Sequence, residues 1–248
     1  IVPSRLPQAV VDHDIAQVKG LGVKFEFNKE VKAADLEAYD AVFVGTGLWG
    51  SNMPKIEGIE KAGVYSAVEY LKAARSGQAG FEAGKKVIVV GGGDVTTDCA
   101  VTAKLQGAED VKIVYRRTIE EAPANIEEFH YALSLGIGIT TGMAPAAIKG
   151  ADKVEAVEFK GFRDDSQLLL EADTIVFATG QVAEDMSVVA PVKIADKGLI
   201  KAPKGKAGGK FFAAGDIVNG GKTVVEAVAA GKEAAAAMIA YLEKKGVK

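Results

Sequence analysis

The chain has 248 residues, of which 48% are hydrophobic and 25% are charged, and its formal net charge is −3. This composition excludes a wholly disordered chain and gives no electrostatic reason to expect binding to nucleic acid or to an anionic membrane. The single cysteine excludes both an intrachain disulfide and an iron–sulfur cluster held by this chain alone. No apolar stretch is long enough to cross a bilayer, so we expect a cytoplasmic protein whose redox chemistry would need a bound cofactor.

The first third of the sequence predicts two helices, two strands and a glycine turn. Apolar residues at helical or alternating spacing mark these elements. In chain order they are a helix over 8–21, a strand over 23–27, a strand over 40–44, the turn Gly45-Thr46-Gly47, a helix over 66–74 and a linker over 76–84.

From residue 86 onward, strands alternate with helices. The predicted elements are a strand over 87–90, a helix over 94–106, a strand over 111–115, a helix over 119–135 and a strand over 137–141. This alternation indicates right-handed crossovers and a parallel sheet. The expected fold class is therefore α/β, with Rossmann-like, three-layer domains.

The last part of the sequence predicts mainly short strands. Residues 146–149, 154–162 and 168–171 are too close together for intervening helices, so they indicate an antiparallel meander. A buried strand over 173–177 ends in Ala178-Thr179-Gly180. Short strands near 192–194, 199–200 and 210–213 lead to Gly215-Asp216, and a helix over 223–243 follows.

A dinucleotide-binding fingerprint follows the strand at 87–90. Gly91 and Gly93, with Thr96 in the third position, come directly after an apolar run and open a helix. Gly91 permits the tight turn, Gly93 lets backbone N–H groups approach a diphosphate, and the helix N-terminus carries partial positive charge. The alternative is a tight turn with a purely structural role.

Two arginines end the second strand of this unit. An NAD-selective site usually has an Asp or Glu about 20 residues past the glycines to bind the ribose 2′-hydroxyl. This chain has Arg116 and Arg117 instead, and guanidinium groups bind phosphate through charge-assisted hydrogen bonds. The pair therefore predicts a preference for NADPH over NADH, the alternative being two solvated arginines.

A second strand–turn–helix site is formed by Gly215 and Asp216, followed by Thr223. A carboxylate here can accept a hydrogen bond from a polyol, and the helix N-terminus can stabilise negative charge. By itself this evidence is weak, because an Asp before a helix is more often a cap. Trp49, after the first Gly-Thr-Gly turn, either faces a ring or fills the loop, and Cys99 is expected to be a small buried residue rather than a reactive thiol.

The ordered set of these motifs resembles the glutamate synthase small-subunit family, which includes the N-terminal flavin half of dihydropyrimidine dehydrogenase. The resemblance covers nearly the whole chain. It is carried by the following segments: 1–7, Gly45-Thr46-Gly47, 91–99, Tyr115-Arg116-Arg117, 121–124, Ala178-Thr179-Gly180, Gly215-Asp216 and 223–227.

The resemblance implies a role for individual residues, with NADPH and FAD as the cofactors and no assigned catalytic residue. On the NADPH side, Gly91, Gly92, Gly93, Asp94 and Val95 would hold the diphosphate, Arg116 and Arg117 the 2′-phosphate, and Ala178, Thr179 and Gly180 would lie along the nicotinamide. On the flavin side, the resemblance implies Arg5, the strand end at Val31, Gly45, Thr46, Gly47, Gly215, Asp216 on the ribityl chain, and Thr223 with Val224 at the isoalloxazine ring.

The resemblance also implies an NADPH domain, 76–184, inserted into a partial FAD domain, 1–75 and 185–248. In relatives, a cysteine-rich iron–sulfur segment and a first FAD-binding glycine motif would precede Ile1. We therefore expect this chain, treated as a fragment, to bind FAD weakly or not at all by itself. A flavin absorbance band that survives gel filtration would contradict this expectation.

The function implied is the transfer of hydride from NADPH to FAD and of electrons onward to an iron–sulfur segment or subunit of a larger enzyme. Glutamate synthase, dihydropyrimidine dehydrogenase and ferredoxin:NADP oxidoreductase types all remain open. The alternative is a non-catalytic module that binds NADP(H) or docks to a partner subunit without a working FAD site.

Overall fold

The computed structural model describes residues 1–247. The α-helices in this range are α1 (Gln8–Gly20), α2 (Ala67–Ser76), α3 (Asp94–Leu105), α4 (Ile126–Ser134), α5 (Asp216–Asn219) and α6 (Val224–Lys245). The strands are β1 (Val42–Val44), β2 (Gly50–Ser51), β3 (Val64–Ser66), β4 (Lys86–Val90), β5 (Asp110–Tyr115), β6 (Gly138–Thr141), β7 (Met143–Lys149), β8 (Ala156–Gly161), β9 (Gln167–Glu171), β10 (Thr174–Phe177), β11 (Gln181–Val182), β12 (Lys206–Gly208) and β13 (Phe211–Ala213). Among the described residues, no helix combines the length and hydropathy needed to span a membrane.

The chain forms two compact units. Unit 1 consists of Ile1–Val23 and Ser51–Gly180, and unit 2 consists of Lys24–Gly50 and Gln181–Lys248. These units differ from the predicted domain division, since residues 1–23 and 51–75 belong to unit 1. Residues 51–75 belong there because β3 pairs with β10 and α2 packs beside α3, and residues 1–23 are attached to unit 1 by the pairing of Arg5 with Asp98 and Glu128.

Unit 1 is built on a five-stranded parallel sheet with the order β3-β10-β4-β5-β6. Both faces of this sheet are buried, as the alternating side chains of β4 show. Val87 and Val89 pack into a core shared with α2, α3 and α4, whereas Ile88 and Val90 pack against β7 and β8. A strand buried on both faces reads as a continuous apolar run, which is how the sequence predicted it. The predicted α/β class is confirmed.

The predicted meander is also confirmed. Strands β7, β8 and β9 form a three-stranded antiparallel sheet that covers the second face of the parallel sheet. Cys99 is fully buried in α3 as expected, and burial raises the pKa of its thiol well above the usual value.

Two of the predicted elements are wrong, the helix over 119–135 and the strand over 23–27. The helix expected over 119–135 is a short 3-10 helix, Ile119–Glu121, followed after a break by α4. Pro123 explains the break, because the residue before a proline is pushed out of the helical region and Ala122 is indeed extended. Residues 23–27 are irregular instead of forming a strand, and Phe25 and Phe27 stack on each other at the surface.

Unit 2 contains a smaller sheet with the order β1-β13-β12, in which β1 and β13 are parallel. Its core includes Val44, Ile200, Phe211 and Ile217. The strands predicted near 192–194 and 199–200 are reduced to one bridge between Ile194 and Ile200. The last predicted helix is present as α6, which Thr223 caps by accepting a hydrogen bond from the Glu226 N–H.

Candidate functional site

The glycine turn joins β4 to α3 at the carboxyl edge of the parallel sheet. The Gly91 N–H donates to the Val114 carbonyl of β5 at 3.1 Å. Gly91 has a φ of +155°, and a Cβ on it would lie 2.3 Å from Thr96 Oγ1 and 2.6 Å from the Ala178 carbonyl oxygen. Only glycine fits this position, so Gly91 forms the tight turn that the sequence predicts.

Gly92 and Gly93 have different surroundings. A Cβ on Gly92 would lie 2.5 Å from the ring of Tyr115, so this glycine is required by packing inside the protein. A Cβ on Gly93 would meet only Pro123 Cγ, at 3.9 Å. Gly93 is the N-cap of α3, and the first-turn N–H groups of a helix have no partner within the helix. The open face at Gly93 is therefore the part of the turn from which a ligand could reach these N–H groups.

The segment after the 3-10 helix lies over this turn. The Ala124 N–H donates to the Gly92 carbonyl at 3.1 Å, and the Asn125 N–H donates to an Asp94 carboxylate oxygen at 3.2 Å. The Asp94 side chain thus holds the loop, and its contribution to a bound diphosphate would come from its backbone N–H. Val95 packs against the helix-side core. Thr96 is fully buried, and within residues 1–247 its hydroxyl has no hydrogen-bond partner.

Arg116 and Arg117 directly follow β5, the strand adjacent to β4. The Arg116 side chain is exposed, and its guanidinium carbon lies 5.3 Å from the centre of the Phe162 ring. Arg117 is half-buried, and its carbonyl accepts a hydrogen bond from the Gly142 N–H at 3.2 Å. The Phe162 ring therefore holds the Arg116 guanidinium beside the end of β5 through a cation–π contact. The sequence predicted the arginine but not this ring.

Ala178, Thr179 and Gly180 follow β10, on the other side of β4. The Ala178 N–H donates to the Val90 carbonyl at 2.8 Å, and Thr179 Oγ1 donates to the Asn52 carbonyl at 2.6 Å. The structure thus brings three predicted groups, from β4, β5 and β10, to one edge of the sheet. Ligands of parallel α/β sheets bind at this carboxyl edge.

Arg5 lies in unit 1, whereas the other candidate flavin residues lie in unit 2. Its guanidinium pairs with Asp98 at 2.5 Å and Glu128 at 2.7 Å, and it also donates to Thr97 Oγ1 at 3.3 Å. Burial raises the pKa of Asp98 even though Arg5 acts in the opposite direction. In this structure Arg5 attaches the N-terminal segment to α3 and α4.

The two glycine turns of unit 2 begin at the same end of its small sheet, because Val44 of β1 is the register partner of Ala213 of β13. Gly45, Thr46 and Gly47 follow β1, and Gly215 and Asp216 follow β13 after one residue. The Asp216 carboxylate accepts the Lys222 N–H at 3.2 Å. The Trp49 indole N–H donates to the Thr46 carbonyl at 2.8 Å, and the side chain is largely exposed rather than filling the loop.

The remaining flavin-side candidates are only partly where the sequence placed them. Thr223 and Val224 stand at the N-terminus of α6, and Val224 is 55% exposed. Val31, expected at a strand end, lies in an irregular segment before the 3-10 helix Ala33–Leu36. The strand end that the resemblance implied near Val31 is therefore absent, and a role of Val31 in cofactor binding stays a prediction.

The sequence did not point to Phe162, whose ring lies beneath Arg116, or to its neighbour Arg163, both of which lie in the hairpin between β8 and β9. Arg163 pairs with Glu121 at 2.6 Å. No local signal identifies them, since the hairpin reads as an ordinary polar turn and its contacts are distant in sequence.

The chain matches a protein-family model and several named relatives. Residues 8–231 match the family model for pyridine nucleotide-disulphide oxidoreductases. The NAD-dependent dihydropyrimidine dehydrogenase subunit PreT of Escherichia coli O157:H7 is 39% identical over 96% of this chain and 58% of its own length. The glutamate synthase (NADPH) small chain of Escherichia coli K12 is 33% identical over 90% of this chain and 56% of its own length. The resemblance inferred from the sequence is confirmed.

Solved structures with low sequence identity share the fold. Thioredoxin reductase from T. acidophilum has a TM-score of 0.68 at 19% identity and aligns with 82% of this chain and 66% of its own. FprA from Mycobacterium tuberculosis in complex with NADPH has a TM-score of 0.69 at 18% identity, over 87% of this chain and 67% of its own. The chain spans a little over half the length of the curated relatives it matches. Since the family model covers most of the sequence, the chain belongs to the pyridine nucleotide-disulphide oxidoreductase family.

Proposed function

We propose that this chain is the NADPH-oxidising flavoprotein portion of a larger electron-transfer oxidoreductase of the glutamate synthase small-chain type. One observation carries the proposal. At the carboxyl edge of the parallel sheet, a glycine turn with an open face at Gly93 is followed, at the end of the next strand, by Arg116 and Arg117. A diphosphate and a 2′-phosphate on one ligand require these two kinds of site on adjacent strands.

Residues at three strand ends of unit 1 would each hold a different part of NADPH. The backbone N–H groups of Gly92, Gly93, Asp94 and Val95 would bind the diphosphate, and Ala178, Thr179 and Gly180 would border the nicotinamide. The hydrogen bond from Thr179 Oγ1 to the Asn52 carbonyl restrains this segment beside the nicotinamide.

The residues of unit 2 would hold FAD. Gly45, Thr46 and Gly47 would border it from one strand end, Asp216 would accept a hydrogen bond from the ribityl chain, and the N-terminus of α6 at Thr223 and Val224 would stabilise negative charge on the ring. When bound, NADPH would supply a hydride, which carries two electrons, and FAD would take it up and could pass those electrons on one at a time.

The choice of NADPH over NADH rests on this chain's own residues, because its relatives differ in the nucleotide they are named for. PreT is named as NAD-dependent, and the glutamate synthase small chain is named for NADPH. Here two guanidinium groups follow β5 directly, which supports recognition of a 2′-phosphate. The subunit names of the relatives support a larger assembly, in which an iron–sulfur segment or subunit would accept the electrons.

A non-catalytic NADP(H)-binding or docking module is the second candidate. It is favoured by the polar groups of the flavin side, which already have partners in the chain. Asp216 accepts the Lys222 N–H, and the Thr223 hydroxyl is used as the cap of α6. These groups could then serve helix formation alone.

Dye reduction by NADPH, measured with and without added FAD, separates the two candidates. Because this chain by itself is expected to bind FAD weakly at best, we expect the rate to rise with added FAD and to saturate only at high FAD concentration. An Asp216→Ala chain should need about tenfold more FAD, since one hydrogen bond to a charged group contributes about 1.5–3 kcal/mol. Its affinity for NADP+ should stay unchanged. NADP+ binding without dye reduction at any FAD concentration would contradict the proposed oxidoreductase and support the module.

A further inference from the structure

The hairpin between β8 and β9 is attached by backbone hydrogen bonds to the strand end that carries the two arginines. The Gly142 N–H donates to the Arg117 carbonyl at 3.2 Å, and the Phe162 N–H donates to the Gly142 carbonyl at 2.8 Å. Arg116 stacks on the Phe162 ring. The hairpin is therefore part of the surroundings of Arg116 and Arg117, although it belongs to a different sheet.

A carboxylate, Glu121, is fixed in the same surroundings. Its backbone carbonyl accepts the Tyr115 hydroxyl at 3.2 Å, and its Oε2 accepts the Thr118 N–H at 3.1 Å. The other oxygen, Oε1, accepts from the Arg163 guanidinium at 2.6 Å. These hydrogen bonds, that of Arg163 first, lower the pKa of Glu121, so the group is ionised at neutral pH. With its backbone and both oxygens engaged, Glu121 is held in place.

An unpaired carboxylate here would have two consequences for nucleotide choice. It would oppose the negative 2′-phosphate of NADPH through like-charge repulsion. It would also resemble the acidic group with which NAD-selective sites bind the ribose 2′-hydroxyl. Arg163 balances this charge. The net charge of these four side chains, Arg116, Arg117, Arg163 and Glu121, is +2 with Arg163 present and +1 without it.

We propose that Arg163 is a specificity-determining residue, which neutralises Glu121 and so keeps the site selective for a 2′-phosphorylated dinucleotide. This inference rests on the proposed function, because it assumes that Arg116 and Arg117 recognise the 2′-phosphate. Arg163 would act indirectly, through its contact with Glu121. Removing only one of these two charged groups would change the net charge near Arg116 and Arg117.

The test is the binding of NADP+ and of NAD+ to the chain, measured by titration calorimetry without flavin. We expect Arg163→Ala to weaken NADP+ binding about tenfold, the equivalent of about 1.4 kcal/mol, and to leave NAD+ binding unchanged or slightly tighter. Glu121→Gln keeps the side-chain shape and an acceptor for the Thr118 N–H. Combined with Arg163→Ala, it should return NADP+ affinity to within about twofold of the original value.

Two controls make the result specific. Lys160→Ala removes an exposed positive charge from β8, and we expect it to change neither affinity. Thermal unfolding of each variant checks folding, and little change is expected since the Arg163 side chain is 60% exposed.

The outcomes separate the two proposals. A double variant that binds NADP+ as weakly as Arg163→Ala alone would overturn the role of charge neutralisation, as would equal losses for both nucleotides. If the original chain binds neither nucleotide, or does not prefer NADP+, the proposed function itself fails.

Discussion

Replacing Arg116 and Arg117 together with alanine is expected to weaken NADP+ binding by about 10- to 100-fold and to change NAD+ binding by no more than about twofold. Each charge-assisted hydrogen bond to a phosphate contributes about 1.5–3 kcal/mol, and exposure of Arg116 to solvent places the expected loss toward the lower end. The 2′-phosphate is the only group that distinguishes the two ligands, so the loss should fall on one of them. Titration at fixed ionic strength measures it, because salt screens exposed charges.

A matched control removes two positive charges elsewhere in unit 1. Lys104 lies near the end of α3 and Lys160 lies on β8, and neither is a candidate for the phosphate site. The double substitution Lys104→Ala with Lys160→Ala should leave both affinities nearly unchanged. Equal weakening of NADP+ and NAD+ by the arginine substitutions would show that these side chains do not recognise the 2′-phosphate.

Replacing Gly91 with alanine is expected to lower the free energy of unfolding by about 2–4 kcal/mol and to abolish nucleotide binding. Two effects add: a φ of +155° is strained for any residue with a side chain, and the new Cβ would lie 2.3 Å from Thr96 Oγ1 and 2.6 Å from the Ala178 carbonyl. Urea unfolding, with nucleotide titration of the folded fraction, measures both consequences.

Two other glycines of unit 1 separate these effects. Gly107 has a φ of +96° and open space around it, so Gly107→Ala should show the backbone strain alone, about 1 kcal/mol. Gly93 has an unstrained backbone, so Gly93→Ala should leave stability nearly intact and still weaken nucleotide binding. A Gly91→Ala chain as stable as Gly107→Ala would contradict the close packing described for the turn.

The local part of the candidate site was predictable from sequence. The apolar run of β4, the three glycines and the start of α3 are consecutive in the chain, so one pattern determines strand, turn and helix. The same holds for Arg116 and Arg117, which directly follow β5. The sequence could not show that Gly92 is required by packing whereas Gly93 has an open face. The ring that excludes a Cβ at Gly92 belongs to Tyr115 on the next strand.

The features that the sequence did not reveal depend on contacts between distant segments. The helical pattern over 119–135 continues through Pro123, but the Ala124 N–H bonds to the Gly92 carbonyl instead of continuing a helix. The pairing of β3 with β10 moves residues 51–75 into unit 1, against the predicted boundary at 75. Arg163 reaches Glu121 only because the antiparallel sheet folds back onto the strand end.

The most direct test of nucleotide binding at this turn is a crystal structure of this chain with NADP+ bound. We expect the diphosphate on the N–H groups from Gly92 to Val95, the 2′-phosphate within hydrogen-bond distance of Arg116 and Arg117, and Arg163 still paired with Glu121. A nucleotide bound elsewhere, with the open face at Gly93 vacant or both arginines directed into solvent, would contradict this expectation.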